Sequence, residues 1–298
     1  MKREEYPRPQ FVRKNDWQNL NGPWQFAFDD QNIGQQSHWF STELPQAREI
    51  QVPFVYQSEL SGINDQTVHD TVWYQRRMHV SPSQAERYVL HFGAVDYIAD
   101  VYINGTYVGH HEGGDGSFSF DITNELAADG VQTITVRAID RTYDETIPRG
   151  KQSWTGKSEG IWYTNSTGIW QTVWLETVPL AHLVDVRFTP DLDHTAVSFD
   201  AEVSRAAIGK SLSYQISFGD EIIAEDSTDI KDTHFTRTVE LVQHHIFRTA
   251  FHSDGWTWTP EHPNLFSVTF TLHDPDQQPI DQVDSYFGLR KVSTENGM

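Results

Sequence analysis

What most constrains this chain is the period of its apolar residues, which is two over most of its length. Phe118, Phe120 and Ile122 alternate with Ser117, Ser119 and Asp121, and Ile134, Val136 and Ala138 alternate with Thr133, Thr135 and Arg137. On an extended backbone successive side chains point to opposite faces, so this spacing describes half-buried strands; a helix needs a repeat of about 3.6. Ala99, Val101 and Ile103 share one face. Asn104-Gly105 then supplies residues that tolerate the positive φ of a two-residue hairpin, sending the chain back over Thr106 to Gly109. Strands are expected over 24–28, 73–80, 88–92, 97–103, 107–111, 117–122, 132–139 and 171–176. Such a number of strands, irregularly connected, describes a jelly-roll double sheet.

A second alternating series follows Pro179: Val184, Val186 and Phe188; Val197, Phe199, Ala201 and Val203; Leu212, Tyr214, Ile216 and Phe218. Further strands fit 233–241, 266–272 and 282–289. About seven short strands within roughly 110 residues describe an immunoglobulin-like sandwich, here without a disulfide. The chain is therefore expected to be all-β, a jelly-roll β-sandwich over residues 1–180 and an immunoglobulin-like β-sandwich over 181–290. No long amphipathic helix is expected; 35–40 and 123–128 suffice for a turn or two. Residues 31–51 and 140–166 lack sustained periodicity and read as functional loops or edge excursions.

Composition narrows the function. A length of 298 residues suits two domains, and 17 Phe, 11 Tyr and 10 Trp supply core volume. Lys and Arg number 22 against 42 Asp and Glu, a net charge of −20 that repels nucleic acid and anionic membrane surfaces, so neither is expected as a partner. The absence of cysteine removes disulfides and thiolate chemistry and fits a reducing compartment. Met1 to Phe11 is charged and contains proline where an export signal needs an apolar run, and no stretch is long and apolar enough for a membrane span. A cytoplasmic protein without a cofactor is the expectation.

Several motifs resemble, in order, the opening of family 2 glycoside hydrolases such as β-galactosidases and β-glucuronidases. Leu20-Asn21-Gly22-Pro23-Trp24-Gln25-Phe26, Val52-Pro53 and Trp73-Tyr74-Gln75-Arg76 come first. Leu90 to Asp96, Val101-Tyr102-Ile103-Asn104-Gly105, His111-Glu112-Gly113-Gly114 and Phe118 to Ile122 look like the core of the family's sugar-binding, galactose-binding-like domain. Thr167-Gly168-Ile169-Trp170 through Glu176 is similar to its closing strand. Trp258-Thr259-Pro260, His262 to Phe266 and Phe287-Gly288-Leu289-Arg290 resemble later strands of the second domain.

This resemblance implies a carbohydrate substrate, a tendency to form homo-oligomers, and a catalytic (β/α)₈ barrel bearing two glutamates, of which such barrels typically take about 250 residues. Residues 291–298 read as a linker into that missing barrel, and this chain alone is expected to hold no catalytic residue. Asn124-Glu125 copies the family's acid/base dipeptide but follows a strand, where a polar turn explains it. The resemblance also places an acidic side chain just before the Gly-Ile-aromatic motif in some β-galactosidases. Here Trp162, Tyr163, Thr164, Asn165 and Ser166 stand there, and Glu159 is the nearest acid.

Sugars are held by aromatic faces against their C–H groups and by planar polar groups that bridge hydroxyls. Trp154, Trp162, Tyr163 and Asn165 in the long loop are the candidate carbohydrate-binding residues, with Asn64 and Asp65 in 61–70 a second set. The aromatic residues suit direct sugar contact or packing against the barrel. No metal site is expected. His110-His111 and His244-His245 would point to opposite faces if they lie in strands, and Glu112, Asp115 and Asp121 are a weak calcium set.

Overall fold

The computed structural model describes residues 5–13, 17–247 and 255–294. They form two units, the first from residues 5–7 and 17–177, the second from 8–13, 178–247 and 255–294. The expected linker 291–298 lies outside the described residues from position 295 onward.

The first unit is built from β1 (Trp17–Asn19), β2 (Gly22–Phe28), β3 (Arg48–Val52), β4 (Thr71–His79), β5 (Glu86–Phe92), β6 (Val95–Asp96), β7 (Ile98–Ile103), β8 (Thr106–Glu112), β9 (Phe118–Asp121), β10 (Val131–Ile139), β11 (Gly168–Ile169) and β12 (Val173–Pro179). An antiparallel six-stranded sheet runs β3-β2-β4-β10-β7-β8, a four-stranded sheet runs β1-β12-β5-β9, and β11 pairs with β6. Trp24, Phe26, Tyr74, Val101, Val136 and Leu175 are among the residues buried in its core. The hairpin between β7 and β8 turns at Asn104 and Gly105, with φ of 51° and 82°. The Val52–Pro53 and Asp96–Tyr97 peptides are cis.

The six-stranded sheet is also covered on its second face. Ala27, Trp73 and Tyr102 are buried there with Leu44 and pack against Trp39 and Phe40. Phe40 stacks on Tyr102 with ring centroids 4.9 Å apart. The buried carboxylate of Asp29 sets the start of this excursion, accepting the backbone N–H groups of Ile33 and Gly34 at 2.8 and 2.9 Å and the Trp73 indole N–H at 3.0 Å. Much of the aperiodic stretch 31–51 is thus a lid over a second apolar face followed by β3, not a binding loop. Of the short turns expected, Thr123–Glu125 is a 3₁₀ helix and 35–40 are turns.

The second unit contains β13 (Leu183–Asp191), β14 (Ala196–Val203), β15 (Ser211–Phe218), β16 (Glu221–Asp229), β17 (His234–Glu240), β18 (Phe266–His273) and β19 (Pro279–Phe287). The sheets β13-β14-β17 and β16-β15-β18-β19 give the two-layer arrangement of an immunoglobulin-like sandwich. Its core is aromatic: Phe266 stacks on Phe287 at 5.1 Å, and Phe199 meets Phe270 edge-on at 5.2 Å.

Residues 8–13 complete this second unit, although a linear division at 180 assigns them to the first. Phe11 is buried in its core, and Val12 exchanges backbone hydrogen bonds with Asp284 of β19 at 2.8 and 3.0 Å. The buried Arg13 guanidinium grips both carboxylate oxygens of Asp281 at 3.1 Å, and Asp281 also accepts the Leu183 N–H at 2.8 Å. Such a two-pronged charge pair supplies the hydrogen bonds that each buried charge requires. Among the described residues no helix is long and apolar enough to cross a membrane.

Candidate functional site

The long loop after β10 is pinned at its base. Asp140, only 6% exposed, donates its backbone N–H to Asp70 O at 2.9 Å, and its carboxylate accepts the Thr167 hydroxyl at 2.9 Å. Asp96, 7% exposed, accepts the Gln152 amide at 2.7 Å and the Ser166 hydroxyl at 3.4 Å. Gln152 in turn accepts the Ser166 N–H at 2.7 Å, so one side chain ties both arms of the loop to the sheet. Between the arms, Ser153 N–H donates to Tyr163 O at 2.9 Å and Tyr163 N–H to Lys151 O at 2.8 Å. The Arg149 guanidinium closes the first turn on the carbonyls of Thr142, at 2.8 Å, and Asp144.

The loop 61–70 is ordered by Tyr56. Its hydroxyl donates to Thr67 O at 3.0 Å and accepts the His69 N–H at 3.1 Å, while Asp65 N–H donates to Tyr56 O at 3.1 Å. His69 stacks on Phe28 with centroids 3.7 Å apart, its Nδ1 lying 2.6 Å from the Asp30 carboxylate. Hydrogen bonds from Thr67 hold the Asp65 carboxyl below the usual aspartate range.

The two candidate loops adjoin. A methyl group added at Gly156 would sit 3.1 Å from Val68 and 3.4 Å from the Tyr143 hydroxyl. Gln57 bridges from the neighbouring segment, its Nε2 3.4 Å from the Thr167 hydroxyl and its Oε1 3.4 Å from the Thr167 N–H.

Of the residues expected to face sugar, Trp154 is 40% and Tyr163 59% exposed, while Trp162 is half-buried against Trp154, ring centroids 4.7 Å apart. Asn64 is exposed at a φ of 52°, and Asp65 is half-buried. Asn165 faces inward: its amide N–H donates to Ser153 O at 2.7 Å, and its buried Oδ1 has no hydrogen-bond partner among the described residues. Gln57, Asp96, Asp140 and Gln152 are not flagged by the sequence. The one signal is that apolar alternation stops at Ile139, directly before Asp140.

Burial, and then the charge of Asp115, push Asp96 up to about 6 against the opposing Gln152 hydrogen bond. Burial and then the charge of Asp96 push Asp140 up to about 7. Shifts of this kind mark functional sites as often as anchors. Here both carboxylates accept hydrogen bonds from the loop's own donors, so they hold the loop in place.

The remaining clusters lie elsewhere. His110 and His111 diverge as expected, His110 Nδ1 to Asp100 at 2.9 Å and His111 onto the Phe118 ring at 4.1 Å. Asp121 accepts the Thr123 N–H at 3.0 Å, and Glu125 belongs to the turn whose carbonyl accepts the Asn104 amide at 2.8 Å. His244 and His245 are not in a strand, so the opposite-face reading does not hold for them.

The chain is a pair of stacked-sheet units, the first with a long aromatic loop beside a polar one, and comparison with known proteins names the class. The family model "Glycosyl hydrolases family 2, sugar binding domain" matches residues 17–179, and "Glycosyl hydrolases family 2" matches residues 181–290. The chain belongs to glycoside hydrolase family 2. It is 27% identical over 289 residues to a β-galactosidase of Thermoanaerobacter pseudethanolicus, covering 93% of this chain and 35% of that protein. It is 23% identical over 300 residues to a β-glucuronidase of Streptococcus agalactiae, covering 97% of this chain and 46% of that one. The chain thus spans between a third and a half of these relatives. The fold is also that of Bifidobacterium dentium β-glucuronidase complexed with coumarin-3-O-glucuronide, with a TM-score of 0.73 at 22% identity over 95% of this chain and 50% of that one.

Proposed function

We propose that this chain is the non-catalytic, sugar-facing portion of a family 2 β-glycosidase, its loops 61–70 and 140–166 lining one wall of the glycoside site. The observation that carries the reading is the meeting of these loops at Gly156 and Val68, with Trp154 and Tyr163 exposed beside them. Aromatic faces suit the C–H groups of a pyranose, and the Asn64 amide and Asp65 carboxylate suit its hydroxyls. Bond cleavage is assigned to a pair of carboxylates about 5 to 5.5 Å apart outside these sandwiches, because Asp96 and Asp140 are buried and engaged.

β-Galactosides are the proposed substrate class, in line with the Thermoanaerobacter relative. β-Glucuronides are the second reading, favoured by exposed Lys151 and Lys157 on the same loop, which suit the carboxylate of a uronic acid. The test joins the chain to the barrel of a family relative and compares chromogenic β-galactoside with β-glucuronide. Trp162→Ala with Tyr163→Ala should lower kcat/KM at least tenfold on the preferred glycoside, and Lys151→Ala with Lys157→Ala should act only on the glucuronide. Turnover by the purified chain alone would overturn the assignment. Submillimolar affinity of the chain alone for a glycan, read by calorimetry, would replace it with a free-standing carbohydrate-binding module.

A further inference from the structure

One end of the second sandwich brings three ligand-type side chains together. Glu221, His244 and His245 each offer an atom, and the three atoms lie within 4.8 Å of one another. Glu221 opens β16, just after the turn from β15, whereas the histidines follow β17 of the other sheet. The adjacent rings converge because the backbone there is coiled. His244 N–H donates to Leu241 O at 3.0 Å, and the 3₁₀ helix His245–Phe247 begins at the next residue. The ring centroids are 4.3 Å apart, and both Nε2 atoms face the same oxygen of Glu221, at 3.7 Å from His244 and 3.3 Å from His245.

We propose that Glu221, His244 and His245 bind a divalent transition metal, zinc in the first instance, which clips together the two sheets of the second sandwich. Zinc bonds of about 2.0 to 2.2 Å to nitrogen and oxygen at tetrahedral angles place neighbouring donors about 3.4 Å apart. The two histidine–glutamate separations bracket that value. Two imidazoles and one carboxylate favour zinc, nickel or copper over calcium and magnesium, which prefer all-oxygen sets. Ligation through Nε2 puts the His244 proton on Nδ1, which in the free protein accepts the Ile246 N–H at 3.5 Å, so metal binding gives up that one long hydrogen bond. Three protein ligands leave a coordination position for water. The bound ion would fasten β16 to the segment after β17, beside Phe247, whose ring packs on Phe266 of the core.

The experiment titrates the untagged full chain with zinc chloride, following heat and melting temperature. One zinc per chain and a rise in the melting temperature of the second sandwich are expected, with calcium giving neither. His245→Ala and Glu221→Gln alter exposed side chains and should each weaken zinc at least tenfold, while His110→Ala, in the pair that diverges, should leave it unchanged. No binding at zinc up to about 100 µM would overturn the proposal. So would equal zinc affinity in the His245→Ala/Glu221→Gln double variant, or calcium binding at the same stoichiometry.

Discussion

Replacing Asp140 with asparagine should remove most of the dependence of the first sandwich's stability on pH. Asp140 and Asp96 are held above the ordinary aspartate value of 3.8, at about 7 and about 6. The folded state therefore keeps protons that the unfolded chain has already released. The stability these groups contribute is fully present below about pH 4 and is lost as pH rises through 6 and 7, opposite in sign to an ordinary ion-paired carboxylate. Between about pH 5 and pH 8 the expected fall is about 4 kcal/mol, about 3 of it from Asp140. Part of the Asp140 displacement comes from the charge of Asp96, so the two contributions are not independent. Asparagine cannot ionise, and its carbonyl oxygen can still accept the Thr167 hydroxyl. Urea unfolding followed by tryptophan fluorescence reads the effect, since eight of the ten tryptophans precede residue 180. Stability in the parent chain that is flat or rising from pH 5 to 8, or a slope unchanged by Asp140→Asn, would refute the reasoning.

Two further substitutions probe the framework. Arg13→Ala strands the buried Asp281 carboxylate and should lower the stability of the second sandwich by about 3 to 5 kcal/mol, with Arg13→Ala/Asp281→Ala less damaging than Arg13→Ala alone in calorimetry. Gly168 has a φ of 92°, and a methyl group there would fall 2.2 Å from the Tyr74 hydroxyl. Gly168→Ala should therefore cost the first sandwich about 3 kcal/mol, seen as a lower melting temperature.

Much of the fold is legible in the sequence because one buried face per strand leaves a period-two trace. Strand β16 leaves none: its residues are mostly exposed at the sheet edge, so Glu221 to Asp229 carries no alternation. The lid before β3 escapes the pattern for the opposite reason. The central strands of the six-stranded sheet are buried on both faces, and the second face is filled by Trp39, Phe40 and Leu44 from an irregular segment. At the candidate site, the exposed aromatics Trp154 and Tyr163 stand out by residue type. The groups that position them do not, because Asp96, Asp140 and Gln152 act through contacts between positions far apart in the chain. Asn165, a candidate ligand by type, spends its amide on Ser153 inside the loop.

Phe11, Val12 and Arg13 pack in a sandwich whose receiving strands lie far downstream, Arg13 and Asp281 being separated by 268 positions. Contacts this distant in sequence form late and slowly. Until residues 8–13 return to it, the second sandwich has an unfilled seam beside β19. Disturbing residues 8–13 should thus be felt in the second sandwich before it is felt in the first, whose strands follow them directly in sequence.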